Sequence, residues 1–305
     1  MTTVGEGILP SRPQAVEAMR IGIGLPTAIP GIPGRILIEW ARLSEKRGFS
    51  VLATIDRVAF PSYESLIVLA TAAAVTETIG LLTNILLGPT RTPVLLAKEA
   101  ASVDQISGGR LTLGLGVGAR QDDYTATGQA FKTRGRRLDE ALELIHLAWR
   151  GEPVAGSPKP VAPAPVQKGG IPILIGGYSE QAIKRTVRWG IGWTASGVQP
   201  DQTGSFAERI RRSWQEAGRE GKPQIVALTY YALGKDAQAG ATTYIKEYYD
   251  YLGPWADQIA KSVSLTASAL QTLVKRFEDV GVDEVILAPT IAQVDQVDLL
   301  ADALL

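Results

Sequence analysis

An α/β fold, specifically a (β/α)8 TIM barrel built as a single domain, is what this sequence predicts, and three observations predict it. Short apolar runs rich in β-branched residues alternate with segments of helical length eight times between residues 19 and 304. Such alternation is the mark of a parallel sheet whose strands are joined by crossover helices. No shorter repeat and no linker of domain-boundary composition interrupts it. With 305 residues and 45% hydrophobic content, the chain can also bury a sizeable core. The expected organisation is an N-terminal extension over residues 1–18 and one barrel domain over 19–305.

Taken in order, residues 19–25 (Met-Arg-Ile-Gly-Ile-Gly-Leu) read as the first strand and 26–34 as a proline- and glycine-rich loop. Residues 35–47 are amphipathic, with Ile36, Trp40 and Leu43 inward and Gly48 closing the helix. Residues 50–55 form the second strand and 63–77 an Ala/Leu-rich helix. The third strand, 79–87, carries Thr83 and Asn84 among apolar neighbours, and helix 91–107 tolerates Pro93 in its first turn. A glycine-dense fourth strand, 110–118, leads through a polar loop, 119–134, to a long helix ending near Trp149. Five prolines between 151 and 170 mark a loop held by contacts, or a lid. Strand 173–175 with helix 180–189 follows, then strand 191–195 with helix 202–218. Strand 224–233, helices 242–252 and 266–280, strand 282–288 and helix 292–304 complete the chain.

Composition removes several chemistries. Lys+Arg 31 balance Asp+Glu 31, and no long basic run stands out, so no nucleic-acid footprint is expected. There is no cysteine, hence no disulfide, thiolate nucleophile or iron–sulfur cluster. The single histidine, His146, sits mid-helix and reads as a surface or edge residue. Ser-His-Asp and His-rich metal sites are thereby disfavoured, and no metal is expected; a cofactor must carry difficult chemistry. Residues 1–18 lack the apolar centre of a signal peptide, and no apolar run approaches the ~20 residues of a membrane span. A soluble, cytoplasmic protein without membrane contact is expected.

The richest local signal is Ile171-Pro172-Ile173-Leu174-Ile175-Gly176-Gly177-Tyr178-Ser179. It reads as a buried strand, two glycines that permit positive φ, and a helix capped by Ser179. The first N–H groups of such a helix lack internal partners, which makes the turn a candidate phosphate cradle; an ordinary strand-to-helix turn is the alternative. The glycines of 114–118 either let a flat ring lie against the strand or relieve crowding inside the barrel. A Rossmann fingerprint is rejected there, because Arg120 to Tyr124 read as polar loop rather than helix. Asp56 and Arg57 end the second strand on the expected active-site rim, or form a local salt link. Thr83 and Asn84 suit hydrogen bonds to a polar ring edge. Arg120, Asp122 and Asp123 read first as a solvated charge cluster, ligand contact being the alternative. The tyrosines at 244, 248, 249 and 251 read mostly as packing or an oligomer face.

Several stretches together resemble the bacterial luciferase-like family of flavin-dependent oxidoreductases. They include Gly48-Phe49 with Asp56, Tyr63-Glu64-Ser65, Thr92-Pro93, and Asp104-Gln105-Ile106-Ser107-Gly108-Gly109-Arg110. They continue with Leu113-Gly114-Leu115-Gly116-Val117-Gly118, Arg134-Gly135-Arg136-Arg137-Leu138-Asp139-Glu140, Pro172-Ile173-Leu174-Ile175-Gly176-Gly177 and Gly281-Val282-Asp283-Glu284-Val285. The resemblance implies a TIM barrel, commonly a homodimer, with FMN at the C-terminal rim, reduced by a partner flavin reductase. It implies a monooxygenase acting on a small organic substrate. Coenzyme F420, a deazaflavin serving hydride transfer, is the alternative cofactor, and a non-catalytic flavin-binding protein the alternative of another class. Carried onto this chain, the cofactor phosphate falls on Gly176, Gly177, Tyr178 and Ser179. The residues Asp56, Thr83, Asn84 and Gly116 fall beside the ring, and a non-proline cis peptide is expected near Thr83-Asn84-Ile85. Arg57 stands where relatives often carry histidine, so no catalytic residue is assigned.

Overall fold

The computed structural model describes residues 18–154, 156–197 and 199–305, so the N-terminal extension expected over 1–18 lies, Ala18 apart, outside the described residues. Eight parallel strands close into a barrel in sequence order: β1 (Arg20–Gly24), β2 (Val51–Thr54), β3 (Gly80–Leu87), β4 (Leu111–Gly116), β5 (Ile173–Gly176), β6 (Gly192–Ser196), β7 (Gln224–Tyr231) and β8 (Glu284–Pro289). The seam is β1 against β8, with Arg20 opposite Glu284 and Ile23 opposite Leu287. Around it lie α1 (Gly34–Lys46), α2 (Ser65–Val75), α3 (Pro93–Ser107), α4 (Gln121–Ala126), α5 (Arg134–Trp149) and α6 (Glu180–Trp189). They are followed by α7 (Pro200–Glu216), α8 (Ala237–Tyr248), α9 (Trp255–Lys261), α10 (Ala267–Asp279) and α11 (Asp295–Leu304). Among the described residues no helix is long and apolar enough to cross a membrane.

The strands are apolar on both faces because both are buried. Along β7, Val226, Leu228 and Tyr230 belong to the inner core with Val51, Leu82, Leu174 and Ile286. Ile225, Ala227 and Tyr231 face the outer layer, where the helices pack. On α1 the buried stripe is Leu37, Trp40, Ala41 and Ser44, rotated slightly from the expected Ile36 and Leu43, which are half-buried. Gly48, at φ +84°, ends that helix as expected.

Two segments depart from the sequence reading, and a third, 151–170, takes the first of its two alternatives, a loop held by contacts. The stretch 119–134 holds α4 and a 3-10 turn at Phe131–Thr133 instead of continuous loop, too short a pair to leave a helical period. Residues 151–170 connect α5 to β5 at the N-terminal end of the barrel, opposite the mouth, so they are no lid. They are tied to α3: Asp104 accepts from the Val166 and Gln167 N–H groups at 2.8 and 3.3 Å, and Gln105 Nε2 donates to the Ala164 carbonyl at 2.8 Å. The cover over the mouth comes instead from the excursion between β7 and α10. It holds α8, a 3-10 turn at Asp250–Leu252 and the unforeseen α9, and packs Tyr244, Ile245 and Tyr248 onto the inner core. Its two ends meet where β7 stops, Ala232 N–H donating to the Ser264 carbonyl (3.1 Å) and Ser264 N–H to that of Tyr230 (3.2 Å).

Candidate active site

A cavity of about 320 Å³ opens at the C-terminal ends of the strands. Its floor and one side are Ile55, Asp56, Asn84, Ile85 and Leu87; its far side is Gly176, Gly177, Tyr178, Thr194 and Ser196. Residues 117–120 and Tyr230, with Tyr248, Tyr249 and Tyr251 of the cover, complete it.

The floor is shaped by an irregularity in β3. Pairing with β4 runs Thr83 opposite Leu113 and then Leu86 opposite Leu115, so one extra residue bulges from β3. The bulge lies at Asn84 and Ile85, whose peptide bond is cis, as expected near this point. Glycines on the next strands make room for it. A Cβ at Gly114 would stand 2.0 Å from the Thr83 carbonyl oxygen, and one at Gly116 would stand 1.9 Å from Ile85 Cδ1. A Cβ at Gly176 would stand 2.8 Å from the same Cδ1. Of the two readings of the glycine strand, relief of crowding is therefore the one the neighbours support. Contrary to the polar loop expected after Gly118, α4 opens at Gln121, and it is the closed barrel that rules out a dinucleotide fingerprint here.

Polar groups are few and each is held. Asp56 is 5% exposed and accepts from Leu87 N–H (2.8 Å) and Arg91 Nη2 (3.1 Å). Burial pushes its carboxyl above the ordinary range, against the pull of Arg91 and the Leu87 amide. Asn84, 4% exposed, accepts at Oδ1 from Thr194 Oγ1 (2.8 Å), which fixes its amide plane and leaves Nδ2 buried without a partner. A buried, oriented donor without an acceptor is a feature a ligand explains. Gly177, at φ +117°, turns the chain from β5 into α6, and its carbonyl accepts from Trp193 Nε1 at 2.8 Å. The Tyr178 hydroxyl bridges the Ser196 N–H (2.9 Å) and carbonyl (3.0 Å). Ser179 caps α6 as expected, accepting from Ala182 N–H at 3.2 Å.

Of the residues singled out from the sequence, Asp56, Asn84, Gly176, Gly177 and Tyr178 line this one cavity. Thr83, Gly116 and Ser179 do not. Thr83 is fully buried in the wall with Oγ1 donating to the Gly114 carbonyl at 2.9 Å, Gly116 lies behind Ile85, and Ser179 is spent on its cap. His146 lies outside, half-buried on α5 between Trp149 and Trp189, as an edge residue should. Burial lowers its pKa.

Two expectations are overturned. Arg120, Asp122 and Asp123 are not one solvated cluster: Arg120 lines the cavity, and Asp122 and Asp123 pair with Arg57. The Arg57 and Asp123 side chains are 4% and 2% exposed, paired at 2.9 Å, and Asp122 accepts from Arg57 Nη2 at 2.7 Å. Asp123 Oδ1 also takes the Val58 and Ala59 N–H groups, both at 2.8 Å, so the set pins the β2 loop to α4. The tyrosine run is likewise more than packing. Tyr244 stacks on Tyr248 (5.6 Å, 16°), but Tyr248, Tyr249 and Tyr251 face the cavity, where Tyr230 and Tyr249 share a 3.0 Å hydroxyl contact. Thr194 and Ser196 also line the cavity, and only their place at the end of a strand hints at a role in the sequence.

A closed parallel barrel with a cleft of convergent polar groups at the strand C-termini is the architecture of a (β/α)8-barrel enzyme. The sequence matches the luciferase-like monooxygenase family over residues 19–289, so the chain belongs to that family and is an oxidoreductase. A protein of Mycobacterium tuberculosis described only as uncharacterised is 36% identical over 170 residues, 52% of this chain and 59% of that one. The oxygenase component of a flavin-dependent trigonelline monooxygenase from Acinetobacter baylyi is 24% identical over 234 residues, 72% of this chain and 65% of that one. Among solved structures, an F420-dependent secondary alcohol dehydrogenase superposes with a TM-score of 0.79 at 17% identity, covering 94% of this chain and 98% of its own.

Proposed function

We propose that the chain is the oxygenase component of a two-component, flavin-dependent monooxygenase acting on a small organic substrate. One observation carries the proposal: the positive-φ Gly177 turn into α6 and the unpartnered Asn84 Nδ2 line the same cavity. The residues fit the cofactor. Gly176, Gly177, Tyr178 and Ser179 would hold the ribityl phosphate of FMN at the helix N-terminus, and Asn84 Nδ2 would donate to a carbonyl of the ring. Asp56 would border the ring, with Thr83 and Gly116 shaping the wall behind Ile85. Reduced FMN, supplied by a separate flavin reductase, would bring the two electrons needed to activate dioxygen, one oxygen atom going to the substrate and one to water. The chain's part is to orient the ring and, through the tyrosine-lined cover, keep bulk water from it. The relative from Acinetobacter, an oxygenase component by name, supports the division of labour.

We infer also a homodimer. Helix α2 is apolar almost all round, yet Ile67 on its outer face is 69% exposed, with Leu95 and Ile106 exposed on neighbouring α3.

Absorbance of protein titrated with each cofactor tests the reading: FMN should bind, and Gly177→Val should abolish binding while the far-ultraviolet spectrum is unchanged. Unchanged FMN affinity in that variant would sink the cradle. Binding of coenzyme F420 in preference to FMN would redirect the proposal to hydride transfer. Tight FMN binding with no substrate-dependent oxygen uptake, across aldehydes, ketones and aromatic acids, would mark a binding protein instead.

A further inference from the structure

Arg120 is the charge in the cavity that nothing balances. The cavity is bordered by two ionisable groups besides tyrosines, Asp56 and Arg120, and Asp56 is already paired with Arg91. Among the described residues Arg120 makes no ion pair. Its Nη2 donates to the Tyr248 carbonyl at 2.7 Å, while its Nε is buried without an acceptor. The guanidinium carbon sits 4.4, 5.3 and 4.5 Å from the ring centres of Tyr248, Tyr249 and Tyr251. Those rings hold the cation in place but cannot neutralise it: burial raises the hydroxyl pKa of Tyr248 and Tyr249, so both stay protonated at neutral pH. A fixed guanidinium with free donors in a low-dielectric cleft is built to take a planar, two-oxygen anion. The aromatic wall around it favours a ligand whose body is itself flat and apolar.

We propose that Arg120 selects substrates bearing an anionic oxygen group, a carboxylate in particular, on an aromatic body. The proposal rests on the cavity being the active site, and it deepens the monooxygenase reading by naming the substrate class. The same guanidinium chemistry would also suit the phosphate of the cofactor, and the experiment separates the two sources.

Titration calorimetry with 2-naphthoate and its neutral analogue 2-naphthamide, on cofactor-free and FMN-loaded protein, reads the charge directly. The acid should bind about tenfold to a hundredfold more tightly than the amide, the span of one charge-assisted hydrogen bond. Arg120→Met should erase that preference by weakening the acid alone, Arg120→Lys should keep part of it, and affinities for FMN and riboflavin should not move. Equal binding of acid and amide, or no binding of either, overturns the proposal. So does an Arg120→Met variant that loses FMN but not riboflavin, since the anion would then be the cofactor's phosphate. The wild-type comparison needs no variant to fold. If neither FMN nor F420 binds, the flavin reading fails, while the acid–amide preference of the cofactor-free protein still decides the role of Arg120.

Discussion

Adding one methyl group at Gly116 tests how the floor of the cavity is built. The new Cβ would stand 1.9 Å from Ile85 Cδ1, where ordinary contact begins at 3.4 Å, so Cδ1 must retreat by about 1.5 Å. Ile85 lines the cavity, so that retreat reshapes the cavity's floor. Overpacking of this kind destabilises by about 1–3 kcal/mol. Ile85→Val deletes Cδ1 and leaves Cγ1 at 3.3 Å from the new Cβ, tight but tolerable. Alone it should cost about 0.5–1 kcal/mol, the low end for Ile→Val, because Ile85 is only half-buried. Independent effects would sum to about 1.5–4 kcal/mol; the clash predicts a double variant near the Ile85→Val value, a coupling of about 1–3 kcal/mol. Urea unfolding of the four proteins, read by tryptophan fluorescence, supplies the cycle. FMN affinity should follow the same order, falling in Gly116→Ala and recovering in the double variant. Additive destabilisation would refute the reasoning, for it would mean that Ile85 does not fill the space the glycine leaves.

Other predictions draw on groups away from the floor. Asp123→Ala leaves the buried Arg57 guanidinium without its buried partner and frees two loop N–H groups, and should lower unfolding free energy by about 3–5 kcal/mol; Arg57→Met with Asp123→Leu should lose less. Glu45 Oε1 accepts from the N–H groups of Glu77, Thr78 and Ile79 at 2.8, 2.7 and 3.0 Å. Partial burial opposes ionisation, yet these bonds win and hold its carboxyl below the ordinary value. A lowered folded pKa stabilises above the unfolded value, about 4.3, and is lost as pH falls through the folded one. The stability gap between wild type and Glu45→Gln should therefore be full at pH 6 and shrink steadily on acidification; a gap independent of pH contradicts it. Ile67→Asp should shift the sedimentation coefficient from that of a dimer to that of a monomer, and no shift would remove α2 from the interface.

What could be read from the sequence was local. Eight strand–helix alternations, the Gly48 and Ser179 caps and the turn at Gly176-Gly177 are each written within a dozen residues, and the barrel follows from their order. The site is legible only where one such turn reaches it. Arg57 finds Asp123 across 66 positions and Arg120 finds Tyr248 across 128, so their burial and pairing exist only after closure. Charges on a nominal loop look solvated until that loop is known to fold under a cover. The tyrosines misled for a related reason: helical spacing reports which face packs, not that the packed face roofs a cavity. The prolines of residues 151–170 left a contact-held loop and a lid both open, because which end of a barrel a segment occupies depends on whether it precedes or follows a strand.

The excursion that roofs the mouth leaves and rejoins β7 at a neck tied by two backbone hydrogen bonds between residues 230–232 and Ser264. Because lengthening a loop with fixed ends costs little, this segment behaves as a cartridge. A graft cut at 233 and 263 would swap the whole tyrosine roof while leaving the eight-strand ring closed. The strand ends that line the cavity and the tyrosines that roof it thus occupy separable stretches of chain, one in the ring and one above it.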